Sequence, residues 1–441
     1  MAYSPIDIIE RDVVVVGGGS TGTYTAIRLR DYDKSVVVVE KKSTLGGHAE
    51  TYTNPFTGYT VDTGVIVFHR LQTVIDYFDR FDVPLVEIPS PNTDSEYIDF
   101  ASGESVKFQP PSPDAFIAAL DSYLTQLETY PELQRGFNIS YPVAPDLLLS
   151  FRDFVSKYRL QDLVPQIFII NQGYSPLLDL SMLYIFKYLN AAEVGSLRGG
   201  SLTTARHNIQ ELYQNAAAFL GSDVLLDSTV VAMDRSSSGP TPVRVLVQTP
   251  TGRKLILAKK VVSTIPPMPE CLSGYDLSND ERALFGQFFA NGYYTGVLNN
   301  TGITGTLYAT GPGQPYNVPT LPGPYSITTT QEGLTQVYYG SPQVLSDDEV
   351  NADIISNIQR VQRAKGIPDD VEPDWLAFHS HAPFNLMVSN EAIRDGFYRD
   401  LYDLQGQRNT FYNGAAWHTQ DSSVLWEFTD DYIIPICLAS L

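Results

Sequence analysis

An α/β fold built around a parallel sheet is predicted by three features of this 441-residue chain. Val13 to Val16 is a run of β-branched residues, which suits a strand covered on both faces. Directly behind it Gly17, Gly19 and Gly22 form G-x-G-x-x-G, and Ala26, Ile27 and Leu29 continue with helical spacing. A second β-branched run, Val36 to Val39, ends on Glu40 at the distance a β-α-β unit requires.

Each residue type in this unit answers a physical demand. A pyrophosphate is held by unpaired N–H groups and the positive end of a helix dipole. Gly17 makes the tight turn, Gly19 lets the backbone approach the anion, and Gly22 lets the helix lie against the strand. Ser20 and Thr21 sit between them at the helix start. Glu40, at the end of the second strand, accepts hydrogen bonds from ribose hydroxyls and repels a 2′-phosphate, which disfavours an NADP-type ligand.

The residues after Glu40 separate two kinds of dinucleotide. The stretch KKSTLGG places Lys41 and the pair Gly46-Gly47 behind the acidic residue, and Val61-Asp62-Thr63-Gly64 comes after an NPFTG turn. An NAD dehydrogenase has no need of these additions. GGGSTG, the later glycine pair and VDTG, in this order, resemble the FAD proteins of glutathione-reductase and amine-oxidase type, and more narrowly the amine-oxidase-like flavoproteins. The resemblance implies a Rossmann-like FAD-binding domain of glutathione-reductase type with an inserted α+β substrate domain. It implies FAD contacts at Lys41, Gly46, Gly47, His48, Asp62, Gly64, Val65 and Ile66, where His48 takes a place that is often Arg. It further implies backbone contact with the adenine side at Val230, and a return to the cofactor at Thr264. Arg408 to Ala416, RNTFYNGAA, looks like the carboxy-terminal FAD motif, with Gly414 at its step and Ala415 where Glu is usual. Ser423 and Val424 then open a terminal helix and are expected FAD contacts, with N–H groups of the helix N-terminus set against the electron-rich pyrimidine side of a reduced flavin. Across the whole chain the resemblance extends to fungal proteins akin to β-cyclopiazonate dehydrogenase and to bacterial polyunsaturated fatty acid double-bond isomerases.

The chain leaves and re-enters the cofactor unit. Residues 1–69, 195–275 and 396–441 are expected to form a discontinuous FAD-binding domain, and 70–194 with 276–395 the substrate or cap domain. The first excursion reads as a helix over LQTVIDYFDRF, a Pro- and Ser-rich stretch from Val83 to Pro113, and three helical segments ending in the apolar SMLYIFKYLN. A helix is expected from Thr203 to Leu220, then strands at Val224 to Leu226 and Thr229 to Met233, and a hairpin turning at Pro250-Thr251-Gly252. The second excursion alternates strand-like pieces with Gly/Pro turns, carries a helix from Asp348 to Ala364, and ends in the strand Trp375 to His381.

Composition narrows the partners. A formal charge of −21 and a pI near 4.6 argue against nucleic acid or an anionic membrane surface. No apolar run approaches the roughly 18 residues of a membrane span. MAYSPIDIIERD does not read as a signal peptide, so the protein is cytosolic or a leader has been removed. Sequons at Asn138 and Asn299, few lysines and two cysteines lean towards the secretory pathway and leave the compartment open.

A flavin accepts hydride, so the protein must place a substrate C–H bond over the ring and exclude water, with no dedicated acid or base strictly required. The chain shows no metal-ligand spacing, no nucleophile elbow, no C-x-x-C and no second G-x-G-x-x-G, so electrons must come from the substrate. His69 and His418 lie just after segments expected to face the flavin, and each is a candidate proton acceptor set against a packing role. His379 and His381 share a strand face, with no third ligand for a metal. Tyr174, Phe378 and Trp417 are candidate substrate contacts in a chain with 27 Tyr and 21 Phe. Arg198 and Arg206 are candidates for a carboxylate or phosphate, weighed against surface ion pairs. Cys437 lies far from the Gly414 step, so the FAD is expected to be non-covalent. Three readings stand: a dehydrogenase or oxidase of a hydrophobic fungal metabolite, a redox-neutral double-bond isomerase, and a non-catalytic FAD-bound protein.

Overall fold

The computed structural model describes residues 7–88 and 95–441. The first six residues of the amino-terminal segment and part of the proline-rich stretch after Val83 lie outside the described residues.

The valine runs pair as expected. Strand β1, Ile8–Val16, leads into helix α1, Ser20–Asp31, and strand β2, Val36–Val39. The two strands are parallel, with Val13 opposite Val36 and Val16 opposite Val39. On its other side β1 pairs in parallel with Gly252–Ser263, whose end pairs in parallel with Thr410–Tyr412. Val224–Leu225 extends the sheet beyond β2. Thr229–Asp234 and Val243–Thr249 add an antiparallel ribbon, which completes a seven-stranded sheet.

A run of identical residues works here because the sheet is covered on both faces. Val13, Val15, Val36 and Val38 enter one core with Ile27, Tyr213 and Trp426, while Val14, Val16, Val37 and Val39 enter another with Phe151 and Tyr184. Each of these valines contributes about 1.5–3 kcal/mol by leaving water.

The second sheet also has seven strands: Asp374–Ser380, Gly292–Asn299, Thr335–Ser341, Gly323–Thr329, Thr306–Ala309, Ser95–Asp99 and Glu104–Ser105. Its pairs are antiparallel except Thr306–Ala309 with Ser95–Asp99, a parallel pair joining two distant parts of the chain. The helix Asp347–Lys365 opens on a capping box of Ser346 and Glu349 and buries Val350, Ile354 and Ile358. Met182–Tyr188 is buried nearly all round, as its apolar sequence predicts. Among the described residues no helix is long and apolar enough to cross a membrane.

Local expectations fail where a tertiary partner intervenes. The helix expected from Thr203 begins at Gln210, and Leu202–Thr204 is instead a strand against Leu85–Glu87. Its start is satisfied from afar, because Asp62 accepts the Ile209 N–H at 2.8 Å. Phe168 to Ile170 ends the helix Val164–Ile170.

Candidate active site

Three walls meet at the start of α1. The first is glycine main chain: Gly17 has φ +100°, and a Cβ on Gly22 would fall 1.9 Å from Gly17 O. A Cβ on Gly47 would fall 2.8 Å from the Gly19 Cα, so the glycine pair touches the nucleotide-type loop backbone to backbone. Thr264 Oγ1 donates to Gly17 O at 3.0 Å and sits beneath the turn. Glu40, buried at the end of β2, accepts from Gly18 N at 2.6 Å and Lys42 N at 2.8 Å, which fixes its carboxylate beside the loop. Lys41 is exposed.

The second wall is the VDTG step. A Cβ on Gly64 would fall 1.6 Å from His48 O, and Val65 N donates to that same carbonyl at 3.2 Å. Val65 and Ile66 are half-buried on the next loop. The Asp62 carboxylate is spent within the protein, accepting from Thr51 Oγ1 at 2.6 Å and from Ile209 N. Its part in the wall is the main chain, whose carbonyl takes the Gln336 Nε2 hydrogen bond at 2.6 Å. Thr295 Oγ1 donates to the Thr63 carbonyl, so the second sheet is seated on this step.

The third wall comes from the carboxy terminus. Gly414 has φ +109°, and its N–H donates to Asn413 Oδ1 at 2.8 Å. The helix Ser422–Phe428 is capped by Asp421, whose Oδ1 accepts from Ser423 N at 2.9 Å. Ser422 meets Ser20 hydroxyl to hydroxyl at 2.8 Å, and Trp426 Nε1 donates to Ser20 at 3.1 Å. Val424 is buried in the same turn. Thr21 is buried in the first turn of α1, and Val230 sits at a bulge in the antiparallel ribbon, two residues after Ser228, whose N–H donates to the Glu40 carbonyl at 2.8 Å.

The histidines divide by charge. His69 has both nitrogens engaged: Nε2 lies 2.7 Å from Asp421 Oδ2, and Nδ1 lies 2.7 Å from Ser196 Oγ. Burial disfavours its cation, yet the Asp421 carboxylate, with Glu193 3.7 Å away, outweighs burial and holds the imidazole up at about 9. Burial likewise pushes Glu193 up to about 7 against the pull of His69. His418 is buried with Nε2 3.2 Å from Gln134 O and 3.5 Å from Lys187 Nζ, and its Nδ1 has no partner among the described residues. Burial drives its pKa well below the usual value.

A second group forms on the face shared by His379 and His381. His48 lies edge-on to His381 at 4.9 Å between ring centroids and 5.6 Å from Phe384. His381 Nε2 is 3.1 Å from Thr295 Oγ1, and its ring stacks on Tyr293 at 5.1 Å. His379 Nδ1 lies 2.9 Å from Glu50, which accepts from Lys42 at 2.6 Å. Burial, with Lys42 nearby, lowers His48 to about 4, so it is a neutral imidazole at the place where the family often has Arg. Among the described residues no cluster of His, Cys, Asp and Glu is arranged to hold a metal.

Two expected substrate contacts change place. Phe378 lies on the opposite face of the sheet from His379 and His381, stacked on Tyr294 at 6.2 Å, because side chains alternate along a strand. Trp417 is fully buried and stacks on Tyr412 at 5.1 Å, a core position that leaves its Nε1 unpaired. Tyr174 is buried 5.2 Å from Tyr188. Arg198 and Arg206 form surface ion pairs with Asp121 and Glu211. Glu193, Thr295 and Gln336 carry no motif, and only their folded neighbours mark them.

The chain is similar to several known proteins. A model of the flavin containing amine oxidoreductases matches residues 21–269, more than half of the chain. The FAD-dependent oxidoreductase oblC of Cochliobolus heterostrophus is 43% identical over 99% of this chain and 92% of its own. The chain belongs to the flavin-containing amine oxidoreductase family. Beta-cyclopiazonate dehydrogenase of Aspergillus oryzae is 33% identical over 97% of this chain and 93% of its own. Among solved structures, a fatty acid isomerase from P. acnes that produces CLA shares the fold with a TM-score of 0.77 at 18% identity, covering 96% of this chain and 98% of its own. A putrescine oxidase variant comes next at 0.69 and 16%, covering 98% and 100%. As a flavin-containing amine oxidoreductase the protein is an FAD-dependent enzyme, and the glycine main chain, Glu40 and the serine hydroxyls at the start of α1 fit a dinucleotide.

Proposed function

We propose that this oxidoreductase removes hydride from a hydrophobic small molecule, a fungal secondary metabolite that undergoes desaturation or oxidative cyclisation. FAD supplies the hydride acceptor when bound. The observation that carries the reading is the seating of the second sheet on Asp62 and Thr63, which brings Tyr293, Tyr325, Phe384 and neutral imidazoles beside the cofactor residues. Such a wall excludes water, and the charges near it, Glu50 and Lys42, are paired with each other and with His379 rather than free to meet a polar amine. The relatedness to beta-cyclopiazonate dehydrogenase supports a dehydrogenation of a fungal small molecule.

In this reading residues 70–194 and 276–395 form the substrate side, supported by the pairing of Ser95–Asp99 with Thr306–Ala309, and 1–69, 195–275 and 396–441 hold FAD without a covalent bond. His418 keeps an open Nδ1 and takes the N–H or O–H proton as hydride leaves. His69, with neither nitrogen free, is a charged positioning residue that fixes Asp421 and the chain at Ser423.

Anaerobic mixing of the yellow holoenzyme with polycyclic or prenylated metabolites tests the proposal. Lasting loss of flavin absorbance with a dehydrogenated product supports it. Turnover without net bleaching reassigns the protein as a double-bond isomerase.

A further inference from the structure

Asn385 is a buried side chain whose Nδ2 has no hydrogen-bond partner among the described residues. It lies where the chain crosses from the second sheet to the carboxy-terminal wall, and its main chain is tightly held. Its N–H donates to Asn291 Oδ1 at 2.8 Å, and Asn291 Nδ2 donates to Gly173 O at 3.0 Å. The preceding Phe384 carbonyl accepts from Gln420 Nε2 at 2.6 Å. Yet the Asn385 side chain, 3% exposed, makes no hydrogen bond among the described residues. Thr419, next to Gln420 on the opposing wall, is 4% exposed, and its hydroxyl is also unpaired.

Buried amides and hydroxyls are almost always paired, because an unmet donor loses its water without compensation. Two such groups flank one strut, and the Phe384 ring beside them faces His48. Leucine and valine have the same branched outlines as asparagine and threonine and would serve packing alone. The polar pair therefore indicates a ligand group that arrives between the walls.

We propose that Asn385 and Thr419 form a recognition site for a neutral carbonyl flanked by an N–H or O–H. The amide donates from Nδ2 and accepts at Oδ1, and the hydroxyl does either, so the pair matches such an edge and has no charge to offer a carboxylate or an ammonium. This edge is carried by the pyrimidine ring of a flavin and by the keto-enol or amide of a substrate. The first source rests on the FAD reading above.

Asn385→Leu, with Thr419→Val as the second variant, is made in the full chain and compared with wild type as apoprotein and holoenzyme. If the edge is the flavin's, the apoprotein Tm rises by about 1–2 °C on removal of an unpaired group, FAD Kd weakens about tenfold, and the titration of flavin N3–H in the absorbance spectrum shifts. If it is the substrate's, apoprotein and holoenzyme gain equally, the flavin spectrum is unchanged, and the perturbation that cyclohexane-1,3-dione causes in wild type is lost. A fall in both Tm values with FAD affinity and probe response intact overturns the proposal, and so does no change at all. Wild-type protein that takes up no FAD sinks the cofactor reading instead, before any variant is made.

Discussion

At the scale of the residue, space and charge decide what each position tolerates. Gly22→Ala forces a methyl against the Gly17 carbonyl at 1.9 Å, a contact that only backbone movement relieves. The expected result is loss of bound FAD by about tenfold or more in affinity, read as flavin absorbance after gel filtration. His69 gives a pH signature. Its folded pKa of about 9 lies above the ordinary value of 6.5, so its stabilisation is complete below pH 6.5 and is lost as pH rises through about 9. His69→Asn should therefore lower Tm at pH 6, with a cost on the order of 2 kcal/mol, and should converge on wild type near pH 10. A constant difference across that range would show that packing rather than charge is at work. Glycines and β-branched runs were legible in the sequence because their constraints are local. The charge state of His48 was not, because burial and Lys42 set it.

At the scale of the element, one buried ion cluster ties three distant segments. Arg235 ends the strand Thr229–Asp234 with no exposed surface and donates to Asp276 at 2.7 Å and to both Glu281 oxygens at 2.7 and 2.8 Å. It also donates to Tyr412 OH at 3.0 Å, in the strand that precedes the Gly414 step. Arg235→Ala strips buried Glu281 of its close cationic partner, while Asp276 keeps Arg408, and should cost about 3–5 kcal/mol in urea unfolding. Arg235→Lys should recover only part of this, since an ammonium lacks the planar fork. Strands and helices whose periodicity matched their own burial were readable in advance, as in Met182–Tyr188. The strand Leu202–Thr204 escaped notice because its partner, Leu85–Glu87, lies far away in the chain.

At the scale of the whole molecule, polar contacts that join the cofactor residues to the second sheet include Gln336 Nε2 to the Asp62 carbonyl, Thr295 to the Thr63 carbonyl and His379 to Glu50. Gln336→Leu should unpair that carbonyl and loosen the seating, costing about 1–3 kcal/mol in holoenzyme stability, read by denaturant titration. Because FAD binds only the folded chain, apoprotein should melt below holoenzyme by a margin that grows with free FAD. A Tm independent of added FAD would contradict the convergence of the three walls on one ligand.

By itself the sequence determined the dinucleotide unit, the additions that separate FAD from NAD, and the chain's repeated return to one sheet, because glycine geometry, β-branching and a helix dipole act over a few residues. Only the tertiary structure decided which side chains face the site. It turned Phe378 away, spent the Asp62 carboxylate on a helix start, fixed His69 as a cation, kept His48 neutral, and left Asn385 unpaired. Burial and the approach of charges from distant segments set those outcomes, and neither has a local trace in the order of residues.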